Sequence, residues 1–141
     1  MSKAMQLWLK AGERLYVNGA VLRFDRKVSI ELLNDVVFLR EAHVLQADET
    51  TTPLRQLYFV LQTMLMNPGK ANDVQALSDE VFRSTLASFS NQPIHDALER
   101  AARLVQGDRV FDALKVVRGL FDAEAAILEG GAPVPAPSRA A

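Results

Sequence analysis

The sequence predicts an α+β fold, in which a small antiparallel N-terminal sheet or partly open barrel packs with a C-terminal bundle of about four helices. Three observations predict it. Before residue 46, apolar and polar residues alternate in short runs, the mark of half-buried strands, and no helix-length run separates them. Tight antiparallel connections are therefore expected rather than parallel crossovers. From Thr52 to Met66 the apolar residues cover far more than one side of a helix, and beyond Asn72 they recur at helical spacing.

In the first strand, Met5, Leu7 and Leu9 alternate against Gln6 and Trp8, which gives it one buried face; Lys10 to Glu13 reads as a turn. Asn18-Gly19 is the strongest hairpin signal in the chain, because both residues tolerate positive φ. With these two as the turn, Val17 faces Ala20, Tyr16 faces Val21, Leu15 faces Leu22 and Arg14 faces Arg23. Leu15, Val17, Ala20 and Leu22 then share a core face, while Arg14, Tyr16, Val21 and Arg23 share an exposed one. Two guanidinium groups opposite each other repel, so this face needs water, a nearby acid such as Glu13 or an anionic partner. Asp25-Arg26-Lys27 is a charged turn. Val28, Ile30 and Leu32 mark the next strand, Val36 to Leu39 another, and His43 to Leu45 a candidate last one.

Gln46 to Thr51 links the strands to the central helix. Thr51 or Thr52 caps it, Pro53 suits its first position, and Pro68 and Gly69 stop it. Leu54, Leu57, Tyr58, Leu61, Met64 and Leu65 form its apolar face, and Phe59, Val60 and Met66 widen that face around the cylinder. Such a helix belongs between the two halves of the chain or at a subunit contact. Arg55 is placed to pair with Asp48 or Glu49. Asn72 and Asp73 are expected to cap a second helix that ends before Pro93. A third helix starting near Pro93 sets Ile94, Ala97, Leu98, Ala101 and Leu104 on one side. Gly107-Asp108 ends it and caps a final helix, whose stripe of Val110, Phe111, Leu114, Val117, Leu120 and Phe121 continues more weakly to Leu128. The expected units are a strand-rich one over residues 1–47, a helical one over 48–129 with its central helix near 52–66, and a flexible Gly-, Pro- and Ala-rich tail over 130–141.

At 141 residues the chain is one domain or two small lobes sharing a core. Its net charge of -1 argues against a globally basic nucleic-acid protein, but the charge is uneven. Residues 1–45 carry seven Lys or Arg against five Asp or Glu, and the remainder nine against twelve, which weights any anionic partner towards the front. Lys10, Arg14, Arg23, Arg26, Lys27 and Arg40 are candidates for one outer surface. Without cysteine there is neither a disulfide nor a thiolate metal site. His43 and His95 stand on separate elements with no shared ligand spacing, and neither a nucleophile elbow nor a phosphate-binding glycine loop occurs. The expectation is a non-enzyme without metal or cofactor. No apolar run is long enough to span a membrane and no targeting segment opens the chain, so a soluble cytoplasmic protein is expected.

LKAGERLYVNGAVLRFDRKVSIELLNDVVFLREAHVLQ at Leu9 to Gln46, TTPLRQLYFVLQTMLMNP at Thr51 to Pro68 and GDRVFDALKVVRGLF at Gly107 to Phe121 resemble, in that order, the FlbT flagellin regulator family, also described as flagellum biosynthesis repressors. The resemblance implies noncatalytic control of flagellin production after transcription. Such proteins act through the untranslated leader of flagellin messenger RNA, commonly lowering translation or message stability, although some relatives promote flagellin production. The family offers no residue-level RNA motif, so the site residues rest on the physical surface. Lys10, Arg14, Arg23, Arg26 and Lys27 are the candidates for phosphate attraction, Arg40 for a rim contact and Tyr16 for base stacking or for support of the sheet. The modest basic count implies help from another regulatory protein or a homo-oligomer that doubles the surface. Convergence of Arg14 and Arg23 beside an exposed Tyr16 favours RNA, and salt-bridged dispersal disfavours it. The alternative is a flagellin-binding adaptor or secretion chaperone, with Leu57, Phe59, Val60, Met64 and Met66 of the central helix as its protein-contact candidates.

Overall fold

A computed structural model describes residues 5–34 and 36–129. The tail expected over 130–141 lies outside these residues. Among the described residues five strands come first: β1 (Met5–Leu9), β2 (Arg14–Val17), β3 (Ala20–Arg23), β4 (Val28–Leu32) and β5 (Phe38–Arg40). They form two antiparallel sheets, one of β1 with β4 and one in the order β3-β2-β5. The hairpin register is the predicted one, with Arg14 opposite Arg23 and Val17 opposite Ala20. Asn18 and Gly19 take φ of 46° and 88°, as a two-residue turn of this hand demands. His43 to Leu45 adds no strand; a 3-10 turn over Glu41–His43 comes first, and Val44 after it is extended but pairs with no strand.

Both faces of the three-stranded sheet are used. Leu15 turns towards the small sheet, where Leu7 and Leu9 are also buried and Val17, Val28, Ile30 and Phe38 pack around them. From the opposite face, Leu39 enters the helical core with Tyr16 packed against it. Leu22, expected on the core face, is 42% exposed, and Ala20 beside it on that face is exposed too, because β3 is the edge strand.

The helices are α1 (Pro53–Met66), α2 (Ala71–Ser88), α3 (Gln92–Gln106), α4 (Val110–Arg118) and α5 (Phe121–Leu128). Thr52 caps α1 by accepting the Arg55 N–H at 3.2 Å, with Pro53 in the first turn. Leu54, Leu57 and Leu61 are completely buried, which fits a central helix packed on α2 and α4 and covered by the sheet. Helix α2 starts at Ala71 without a side-chain cap, directly after a 3-10 turn over Pro68–Lys70. Asn72 and Asp73 therefore fall inside its first turn, where Asp73 still complements the helix dipole. Asn91 caps α3 through the Ile94 N–H. Asp108 is not a cap; its φ is 62°, and α4 begins two residues later. The expected final helix breaks at Gly119-Leu120, where a poor helix former meets a leucine drawn into the core. No described helix is long and apolar enough to cross a membrane.

Three side chains bind the segment between sheet and helices. Gln62 of α1 is buried, and its amide accepts the Leu45 N–H at 2.8 Å and donates to the Leu45 carbonyl at 2.9 Å, as a neighbouring strand would. The Tyr58 hydroxyl donates to the His43 carbonyl. Glu124 of α5, 1% exposed, accepts the Thr52 hydroxyl with one oxygen and the Leu54 N–H with the other at 2.8 Å. A carboxylate thus closes the positive end of α1. By contrast, the buried Ser78 hydroxyl on α2 has no partner among the described residues. Ser78→Ala is expected to raise stability by about 1 kcal/mol, since a lone buried hydroxyl costs roughly that much. Urea midpoints of the two proteins measure it.

Candidate nucleic-acid interface

Strand order places the candidate cations together. In an antiparallel arrangement the end of β1, the start of β2, the end of β3, the start of β4 and the end of β5 lie at one end of the strand layer. Lys10, Arg14, Arg23, Arg26, Lys27 and Arg40 belong to those termini and to the turns joining them. The Gly12 N–H donates to the Phe24 carbonyl at 2.7 Å and ties the 10–13 turn to the 24–27 turn. Six cations thus share this end with three carboxylates, Glu13, Asp25 and Glu41, on a chain whose net charge is -1.

The cations differ in how they are engaged. Arg14 and Arg23 stand directly opposite each other, and both are exposed. Among the described residues no carboxylate forms an ion pair with either guanidinium. Glu41 instead accepts the Arg14 backbone N–H at 2.8 Å. Lys10 is exposed on the rim of an open hollow of about 750 Å³, shared with Glu13, Arg40, Glu41 and His43. Arg26 pairs with Asp25 at 3.3 Å, but both side chains are mostly in water, so the pair adds little to stability. The Lys27 ammonium lies 6.0 Å from the centre of the Trp8 ring.

Two candidates take other roles. Tyr16 is not an exposed stacking group, because its face of the sheet is covered by the helical core and the ring packs there. Arg40 is not a free rim cation. Its guanidinium donates to the Trp8 carbonyl at 2.7 Å and meets Glu13 at 3.4 Å, which joins the two sheets. The convergence of Arg14 and Arg23 is therefore present without the exposed Tyr16 beside it. The protein-contact candidates divide as well. Leu57 and Met64 are buried in the helical core, whereas Phe59, Val60 and Met66 are half-buried. Arg55 does not pair with Asp48 or Glu49. It stacks on the Phe121 ring, 4.5 Å from its centre, and Glu49 is occupied as the acceptor for the Gln46 N–H.

Ionisation follows these contacts. The Lys10 backbone N–H, opposed by burial and reinforced by Arg40, holds the Glu13 carboxyl below its usual range. Burial raises the Tyr58 hydroxyl, with Arg118 acting against it. Burial, then the fields of Arg118 and Arg40, push His43 below its ordinary value of 6.5. The unfolded chain therefore binds this proton more readily than the folded one. Stability from His43 is complete above pH 6.5 and falls as pH drops below it. The expected result is that His43→Gln flattens the acid limb of the urea midpoint against pH.

Sequence reasoning missed two groups. Period two already placed Trp8 on the outer face of β1, and it is 60% exposed. Glu124 gave no signal, because an acid in an amphipathic helix reads as solvated.

Residues 5–128 match the family described as Flagellar protein FlbT. The chain is 45% identical over 139 residues to a probable flagellum biosynthesis repressor protein FlbT of Mesorhizobium japonicum, covering 99% of this chain and 95% of that one. It is 49% identical over 126 residues to the probable flagellum biosynthesis repressor protein FlbT 2 of Bradyrhizobium diazoefficiens, covering 89% and 93%. A third relative, the probable FlbT repressor of Brucella ovis, is 49% identical over 131 residues, covering 93% and 86%. No solved structure matches the chain. With the family match spanning every described element and such identity along nearly the full length of the relatives, this chain belongs to the FlbT family.

Proposed function

We propose that this protein regulates flagellin synthesis after transcription, by binding the untranslated leader of flagellin messenger RNA through the cationic end of its strand layer. The relatives' names point to control of flagellum biosynthesis. The observation that carries the RNA reading is the Arg14 and Arg23 pair, held opposite each other and exposed, with no ion-paired acid among the described residues. A like-charge cross-strand pair weakens the hairpin by itself, and a phosphate backbone turns the repulsion into binding. Lys10, Arg26 and Lys27 extend the positive surface. The mechanism is noncatalytic and cytoplasmic: an occupied leader excludes the ribosome or changes its exposure to nucleases, so the message's translation or stability shifts. A second copy of the chain or another flagellar regulatory protein would enlarge so small a surface.

Purified protein titrated with the leader RNA and with a scrambled RNA of equal length tests this. Preference for the leader is expected, with a loss of roughly 100-fold in Arg14→Glu/Arg23→Glu while the helical spectrum is kept. Folded protein that shows no preference, even with flagellar partners supplied, overturns the reading. A stable complex with flagellin in place of RNA would establish an adaptor or chaperone instead.

A further inference from the structure

Trp8 has no structural role that explains its exposure. The other face of β1 supplies the core through Leu7 and Leu9, and the indole stands outward, 60% exposed. Its surroundings on that face are polar. Ser29 is its cross-strand partner, and Gln6, one step along the same face, donates to the Ser29 hydroxyl at 2.6 Å and lies opposite Glu31. Isolated among such groups, the ring does not belong to the contiguous apolar patch that protein partners bury. It does have a cation beside it in Lys27. Its backbone is fixed, since Arg40 grips the Trp8 carbonyl and the pairing with β4 runs through this residue. The ring therefore stands on a rigid mount at the end of the layer where cations outnumber acids two to one.

We propose that Trp8 is a stacking platform for an unpaired nucleobase of a single-stranded RNA, with the Lys27 ammonium placed for the adjoining phosphate. This rests on the RNA reading above and assigns the role that Tyr16, packed against the helices, does not fill. A flat aromatic surface next to a positive end is how sequence-tolerant single-strand binding is built, because every base offers a π face. A regular duplex keeps its bases stacked on one another and gains nothing from the ring. The site thus selects the single-stranded parts of a leader, while the arginine pair supplies charge attraction that a duplex shares.

Trp8 is the only tryptophan of the chain, so its fluorescence reports this position alone. The full-length protein is titrated with end-labelled leader RNA, single-stranded or annealed to its complement, following label anisotropy and tryptophan emission together. Saturable quenching that tracks anisotropy is expected with the single strand, and little with the duplex. Trp8→Ala should weaken single-strand binding about 10-fold or more, the size of one lost stack, with Trp8→Phe in between and Lys27→Gln giving a smaller loss. Anisotropy that rises while emission stays constant and Trp8→Ala binds normally overturns the platform and leaves the RNA reading intact. Anisotropy that does not rise for the folded protein overturns both. Quenching by a flagellin fragment but not by RNA assigns the ring to a protein partner and refutes the stacking role.

Discussion

Glu124→Ala is expected to destabilise the fold by about 3 kcal/mol, the loss that follows when two donors at a buried helix start are left without their acceptor. The carboxylate is almost fully buried and accepts two donors, the Thr52 hydroxyl and the Leu54 N–H. Removing it strands both donors at the buried start of α1 and leaves a cavity on α5. It also removes the negative charge that the helix terminus favours. Glu124→Gln separates these contributions. Its carbonyl can still accept the Leu54 N–H, and its amide can donate to the Thr52 oxygen, so a loss of only about 1 kcal/mol is expected. Denaturant unfolding of the three proteins measures both values, and equal losses in Ala and Gln would show that charge, not hydrogen bonding, holds this contact.

Arg23→Glu is expected to move stability and binding in opposite directions. Opposite Arg14 it replaces a repelling pair with an attracting one, worth about 0.5 kcal/mol in favour of the fold. Under the proposed RNA binding it also removes one phosphate contact and engages Arg14 with the new acid, so leader RNA affinity should fall roughly 10-fold. A position where the better-folding residue is the worse binder is the behaviour of a site kept for its ligand. Unfolding midpoints and RNA titrations on the same preparation check the two signs together.

How much of the fold and the cationic end was legible in the sequence depended on range. Asn18-Gly19 sets a hairpin by local backbone chemistry, so the opposition of Arg14 and Arg23 followed from the sequence. The Thr52 cap and Pro53 were equally local. Period two assigned Tyr16 to one face and Trp8 to another, but a period says nothing about what covers each face. The helix side of the three-stranded sheet is covered, so Tyr16 is packed where its period had put it on an exposed face, while Trp8 stays on the open outer side of β1 where its period places it. In the sequence Arg40 looks like any surface cation, because its acceptor, the Trp8 carbonyl, lies 32 residues away. Glu124 meets Thr52 across 72 residues, a contact that exists only once the chain has closed. The break at Gly119-Leu120 was masked by a stripe that stays helical on both sides of it.

The measurement that bears most directly on the cationic end is the salt dependence of leader RNA binding, compared between the native protein and Arg14→Gln/Arg23→Gln. For single strands the slope of log K against log salt falls by about 0.7 per phosphate contact, so the double variant should lose about 1.4 of the native slope. Weaker binding with that smaller slope is the expected result. A variant that keeps the native affinity and the native slope would show that the phosphates rest elsewhere on the protein, and would contradict the assignment of the arginine pair.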